Sequence, residues 1–136
     1  MLQALRFLLI MLGLSAASWL KANGPVTWRS ELIVKDGVLQ VELTAVCEEG
    51  WHIYALELPR DDGPLPTVIR VFANEHFTAK GKVIEPVAEE VDDPNFGMRV
   101  RYHSGTVVFH VPIERTTTAA FQVQGEAEFM VCNDKT

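Results

Sequence analysis

The chain has 136 residues, which fits a single domain. Its composition is 48% hydrophobic and 22% charged, the balance of a globular protein, and this excludes a disordered tail or a polytopic membrane protein. The 12 basic and 18 acidic residues give a net charge of −6, so no basic excess marks a nucleic-acid partner. There are only 2 cysteines, too few for a disulfide framework or a Cys-only zinc site.

The N-terminal residues have the order of a secretory signal peptide. Arg6 supplies a positive charge, an unbroken apolar run extends from Phe7 to Leu14, and small residues follow. The run is shorter than the ~20 residues of a transmembrane helix.

Three positions fit the cleavage site: Ala17, Ser18 and Ala22. We therefore predict an exported protein with a cleaved signal peptide over residues 1–22 and a domain over residues 23–136. No cysteine lies near the cleavage positions, so no lipid anchor is expected. The alternative is that this segment forms the first helix of the domain.

The rest of the chain alternates between apolar and polar side chains, as β-strands do. Asp36-Gly37 separates the first two strands and is typical of a tight hairpin turn. The acidic stretch Glu89–Asp93 is interpreted as a solvated loop. The predicted strands cover residues 26–35, 38–47, 51–55, 67–72, 77–84, 98–103, 106–113 and 121–132. About eight short strands separated by turns predict an all-β sandwich of two antiparallel sheets.

The two cysteines are predicted to face opposite ways. Cys47 shares a strand face with Leu43 and Ala45, which places it in the core. Cys132 shares a face with polar side chains of the last strand, so its thiol should be accessible. Opposite facing disfavours a bridge between them, although a bulge could shift the strand phase.

The histidines are weak candidates for a functional site. All 4 lie in separate segments without metal-ligand spacing, and His52, His103 and His110 fall on predicted outward faces. Met130, Cys132 and a histidine could suit Cu(I), but no spacing favours such a site. We predict neither a metal nor a cofactor.

Three segments, in this order and spacing, resemble the N-terminal domain of the thiol:disulfide interchange protein DsbD, in the form often attached to cytochrome c biogenesis proteins. They are Glu-Gly-Trp-His-Ile-Tyr at 49–54, Asp-Asp-Pro-Asn-Phe-Gly-Met at 92–98 with Val-Arg-Tyr at 100–102, and Glu-Ala-Glu-Phe-Met-Val-Cys-Asn-Asp-Lys-Thr at 126–136. The resemblance extends from about Val26 to Thr136. It implies an immunoglobulin-like sandwich and a periplasmic electron relay of the protein-disulfide reductase class. The implied partners are thioredoxin-like periplasmic proteins and the membrane-embedded and thioredoxin-like domains of a DsbD-type protein.

The resemblance also assigns roles to particular residues. Cys132 matches the first cysteine of the redox pair, and Phe96 matches the aromatic residue of a cap loop that shields it. Asn95 and Gly97 flank Phe96 in that loop. Trp51 and Tyr54 match aromatic positions near the site. Lys135 would favour a Cys132 thiolate by its charge, whereas Asp134 would oppose it.

The sequence departs from the family at its C-terminal end. A second cysteine normally follows Asn-Asp-Lys-X, but the sequence ends at Thr136. Disulfide exchange needs a second thiol to resolve the mixed disulfide, and Cys47 is a poor substitute. We therefore expect an incomplete relay, in a domain that lacks its C-terminal part and leaves a sheet edge open. The alternative function is a non-catalytic, exported β-sandwich binding module with two incidental thiols.

Overall fold

Strands make up all the regular secondary structure of the described residues. A computed structural model describes residues 2–11, 17–21 and 24–133. The strands are β1 (Leu2–Met11), β2 (Ala17–Lys21), β3 (Val26–Lys35), β4 (Val38–Cys47), β5 (Trp51–Tyr54), β6 (Val68–Phe72), β7 (Phe77–Ala79), β8 (Glu89–Asp93), β9 (Met98–Ser104), β10 (Thr106–Arg115) and β11 (Phe121–Asn133). Within this part of the chain, no helix is long and apolar enough to cross a membrane.

The strands form two antiparallel sheets. The first has the order β1-β11-β5-β9-β8, with β6 also paired to β11, and the second has the order β2-β3-β4-β10-β7. The turn between β3 and β4 is made by Asp36 and Gly37, whose φ angles are 52° and 78°. Both residues tolerate this left-handed conformation, which is why the Asp-Gly pair closes the hairpin. The predicted all-β sandwich of two antiparallel sheets is confirmed.

One large apolar core lies between the two sheets. Trp28 of β3 is fully buried, with its ring centroid 6.0 Å from that of Phe109 and 5.2 Å from that of Phe129. The three rings come from β3, β10 and β11, so they join both sheets at the centre of the sandwich. Burying aromatic side chains of this size contributes roughly 2–3 kcal/mol each to folding.

The structure departs from the strand pattern in two places. Val34 follows the buried Val26, Trp28 and Leu32 in the alternation of β3, but its side chain is 68% exposed because it lies at the hairpin end of the strand, beyond the core. Glu89–Asp93 was expected to be a loop, yet it forms β8 and pairs with β9. Acidic side chains are poor strand formers, and here cross-strand arginines compensate: Arg99 lies 3.1 Å from Glu90 and 3.7 Å from Asp92.

The predicted signal peptide falls partly on described residues. Leu2–Met11 forms strand β1, which pairs antiparallel with β11 over its whole length, so the alternative of a first helix is wrong. Phe7 is 4% exposed and lies in the main core opposite Gly125. A Cβ atom on Gly125 would overlap both the Phe7 ring and the Arg70 carbonyl, so this close approach requires glycine. Cleavage of the segment stays a prediction. Of the predicted segment, residues 1, 12–16 and 22 lie outside the described part of the chain.

Candidate thiol site

A second, smaller apolar cluster lies on the outer face of the first sheet. Its buried members are Tyr54, Met98 and Val100. Half-buried side chains pack around them: Leu58, Phe96, Tyr102, Met130 and Cys132. We call this set the outer cluster. It arises because β5, β9 and β11 each direct alternate apolar side chains away from the main core.

Cys132 lies at the edge of the outer cluster, near the end of β11. Its backbone pairs with His52 of β5, and its side chain is half-buried. The thiol is free, as is that of Cys47. The Cys132 side chain therefore packs on apolar neighbours and is still accessible to solvent. The predicted orientation, away from the main core, agrees with this placement.

The hydroxyl of Tyr54 is a polar group beside the Cys132 thiol. Tyr54 is fully buried, and its hydroxyl donates to Asp93 Oδ2 at 3.5 Å. Burial, followed by the hydrogen bond and charge of Cys132 and then by the charge of Asp93, raises the pKa of Tyr54 well above its ordinary value. Tyr54 is therefore a protonated donor at neutral pH. Since a phenol can also accept a hydrogen bond, it can interact with Cys132 in either the thiol or the thiolate form.

The cap loop connects β8 to β9 beside this cysteine. It comprises residues 94–97, and Phe96 is half-buried against the outer cluster. Asp93 shapes the loop: its Oδ1 accepts from Asn95 N at 2.8 Å, and its carbonyl accepts from Gly97 N at 2.8 Å. Gly97 has a φ of 61°, which favours glycine. Asn95 and Gly97 are both exposed, so in this loop Phe96 is the side chain that reaches the cluster.

A second loop bounds the outer cluster on another side. It comprises residues 56–66, and we call it the wall loop. Leu58 packs on the outer cluster, and the backbone N–H of Leu65 donates to Met130 Sδ at 3.5 Å. Gly63 lies so close to Met98 that a Cβ atom would overlap the Met98 sulfur. The wall loop therefore contacts two members of the cluster in which Cys132 lies.

Two other predicted site residues are Trp51 and Lys135. Trp51 pairs with Asn133 and packs on the main core, because it precedes His52 by one position and so faces the opposite side of β5. Lys135 lies outside the described residues. The structure thus brings Cys132, Tyr54 and Phe96 together, but not Trp51.

Cys47 is separated from Cys132 by the sheet itself. Cys47 lies in the main core with Leu43 and Ala45, as predicted, and is 6% exposed. Burial raises the pKa of its thiol from the ordinary 9.0 to about 11. The described residues therefore place no second thiol beside Cys132.

One histidine was assigned to the wrong face. His103 was expected to point outward, but it is 5% exposed, and its Nε2 lies 2.8 Å from Glu85 Oε2. Its ring packs edge-on against Phe109, with 5.8 Å between the ring centroids. A buried carboxylate partner allows this polar ring inside the sandwich, and strand alternation alone could not reveal that partner.

Sequence reasoning also missed several residues that form the site. The apolar surface on which Cys132 packs includes Met98, Val100 and Met130. Asp93 accepts hydrogen bonds from both Tyr54 and the cap loop. Met130 could have been found, because it shares the Cys132 face of β11. Asp93 ends β8, a strand that was not predicted, and Leu58 lies in the wall loop, so no periodic signal in the sequence pointed to either residue.

In the described part of the chain, no group of three or more His, Cys, Asp or Glu side chains could hold an ion. The outer cluster places a half-exposed thiol next to apolar side chains, a buried phenol and two loops, an arrangement that suits sulfur chemistry. The fold and site together define an all-β sandwich domain with a single cysteine on its outer face.

The comparison with protein families identifies this class more closely. The profile described as "Thiol:disulfide interchange protein DsbD, N-terminal" matches residues 25–136. The chain therefore belongs to the DsbD N-terminal domain family, and the resemblance found in its sequence is confirmed. No curated protein and no solved structure matches the chain.

Proposed function

We propose that the chain is a periplasmic thiol–disulfide interchange domain, exported by its N-terminal leader, in which Cys132 exchanges with disulfides of thioredoxin-like partner proteins. The family supports a role in thiol–disulfide interchange. The observation that carries the assignment to Cys132 is its position: half-exposed at the outer cluster, next to the Tyr54 hydroxyl and the cap loop.

The chemistry begins with the Cys132 thiolate. It attacks one sulfur of the partner's disulfide, the S–S bond breaks, and the partner's other sulfur leaves as a thiolate that takes a proton from solvent. The product is a mixed disulfide between Cys132 and the partner. A second thiol must then attack this bond to complete a two-electron reduction, and the described residues do not provide one.

Tyr54 assists the first step. While Cys132 is protonated, the Tyr54 hydroxyl donates to Asp93 and can accept from the thiol. Once Cys132 ionises, the same hydroxyl can donate to the sulfur and stabilise its charge. The cap loop, through Phe96, limits access of other oxidants to the thiol until a partner displaces it.

Exchange with oxidised glutathione tests this function. The folded chain is incubated with the disulfide, alkylated and digested, and the glutathione adduct on each cysteine is quantified by mass spectrometry. We expect the adduct on Cys132, with Cys132→Ser abolishing it and Cys47→Ala leaving it unchanged. If folded Cys132 forms no adduct, the proposal fails and the non-catalytic binding module is favoured.

A further inference from the structure

Glu85, in the connection between β7 and β8, joins elements that are far apart in the sequence. Its carboxylate side chain is 14% exposed. Both of its oxygens accept from the backbone N–H of Leu56, at 3.3 Å and 3.1 Å, and Oε2 lies 2.8 Å from His103 Nε2. Glu85 therefore links β9 to the first residue of the wall loop.

The residue before Glu85 is attached to the other sheet. Ile84 N donates to the His110 carbonyl at 2.8 Å, and His110 N donates to the Ile84 carbonyl at 2.9 Å. This two-bond bridge fixes the backbone next to Glu85 on β10. The backbone N–H of Leu56 is thus connected to both sheets through one carboxylate, while its half-buried side chain packs on the main core.

The wall loop is narrow at its base, where its two ends meet. Thr67 N donates to the Ala55 carbonyl at 3.2 Å, and the Thr67 hydroxyl donates to the Tyr54 carbonyl at 2.5 Å. Leu56 is the first residue beyond this base, and Leu58 follows it onto the outer cluster. A shift of Leu56 therefore moves Leu58 relative to Tyr54 and Cys132.

We infer that Glu85 is a positioning residue of the thiol site, which holds the wall loop against the outer cluster and so limits access to Cys132. The inference rests on the proposed function, because it concerns the same thiol. Removing the carboxylate leaves the half-buried Leu56 N–H without its acceptor, and that amide regains a partner only by moving toward water. Leu58 then lifts from the outer cluster, and the Cys132 thiol is uncovered.

Alkylation of folded Cys132 by iodoacetamide, read separately for each cysteine by peptide mass spectrometry, tests the inference. Glu85→Ala should speed the reaction about tenfold, the effect of losing one buried hydrogen bond. It should also speed hydrogen exchange at the Leu56 amide. Glu85→Gln should restore the alkylation rate to within about threefold of the wild type, because its amide oxygen still accepts from Leu56.

The chain provides a matched control. Glu42 and His110 form a similar half-buried pair, with Oε2 3.2 Å from Nε2, in the second sheet. Glu42→Ala removes the same chemical group from the His110 side chain, whereas the bridge between His110 and Ile84 uses backbone atoms alone. The wall loop is not touched, so the alkylation rate of Cys132 should stay unchanged. Equal acceleration by Glu42→Ala would overturn the inference, because it would show general loosening of the fold.

Two other results would also overturn it. One is an unchanged Cys132 rate in Glu85→Ala despite faster exchange at Leu56. The other applies if Glu85→Ala does not fold. Glu85→Asp, whose side chain is too short to reach both partners, should then speed alkylation of Cys132 at least about threefold. An unchanged rate in that variant would contradict the inference.

Alkylation needs only access to the thiol, whereas the glutathione experiment needs exchange. Failure of the proposed function and failure of the Glu85 role therefore give different results.

Discussion

Cys47 packs inside the sandwich, where water cannot solvate a thiolate, and its pKa is raised to about 11. The thiol of Cys132, in contrast, lies at the edge of the outer cluster, beside a hydroxyl that can donate to it. The two cysteines have the same chemistry as free amino acids. The neighbours of Cys47 make it a packing residue, whereas those of Cys132 leave its thiol accessible for the proposed exchange.

The buried Cys47 thiol should make the stability of the fold depend on pH in the alkaline range. The unfolded Cys47 ionises near its ordinary pKa of 9.0, but the folded thiol ionises only near 11. Its contribution to stability is therefore complete below pH 9.0 and is lost as the pH rises toward 11, at up to about 1.4 kcal/mol per pH unit. Urea unfolding at several pH values should show a steeper alkaline loss in the wild type than in Cys47→Ala. If both chains lose stability equally as the pH rises, the Cys47 thiol is not buried and neutral in the folded state. Other groups, such as Tyr54, titrate equally in both chains and so do not affect the comparison.

At the scale of elements, the β8–β9 hairpin joins the cap loop to the sheet. Its strands are paired over five positions, and Arg99 links Glu90 and Asp92 on one strand to β9. The exposed ion pairs contribute little individually, roughly 0–1 kcal/mol each. The cap loop is therefore kept in place by its two hydrogen bonds to Asp93 and by the packing of Phe96 against the outer cluster.

Phe96→Ala tests the cap directly. Removing the ring should speed alkylation of folded Cys132 several-fold, because the outer cluster loses the side chain that the cap loop supplies. Val91→Ala is the matched control, since it shortens a 43% exposed apolar side chain of the same hairpin that is not part of the outer cluster. A cap role would be contradicted by an unchanged rate in Phe96→Ala or by an equal increase in both variants.

The sequence predicted those elements whose signals are local. Strands β3 and β4 alternate over most of their length and meet at Asp36-Gly37, so their bounds matched, as did the opposite facing of the two cysteines. Strand β8 was not predicted, because its acidic residues are poor strand formers and pair with Arg99 of β9 only in the folded sheet. The buried position of His103 depends on Glu85, which is 18 residues away and in a different element. Contacts of this kind leave no periodic pattern in the sequence.

At the scale of the whole molecule, β1 closes one edge of the first sheet. Leu2–Met11 covers β11 from Phe121 to Met130, and Arg6 lies 3.7 Å from Glu126. An uncovered β11 would present unpaired backbone groups to other chains. If the leader is removed on export, as we propose, this edge of the sheet is uncovered at the same time.

Two neighbouring substitutions test whether β1 belongs to the folded, unprocessed chain. Phe7→Ala should lower the free energy of unfolding by about 3 kcal/mol or more, because Phe7 lies in the main core. Leu8→Ala is the control, since Leu8 is 46% exposed and should cost less than about 0.5 kcal/mol. Urea denaturation of the two purified chains measures the difference. Similar small losses in both would show that β1 does not pack on β11 in solution.

Exchange between Cys132 and the disulfide of a protein partner can be trapped as a covalent complex, and this is the decisive test of the proposed function. The folded chain is mixed with a thioredoxin-like protein whose attacking cysteine carries a thionitrobenzoate disulfide, and the release of thionitrobenzoate is followed by absorbance. We predict release together with a disulfide-linked complex on a non-reducing gel. Both should be retained in Cys47→Ala and lost in Cys132→Ser. A wild-type chain that forms no complex, or a complex that persists without Cys132, would contradict exchange at this cysteine.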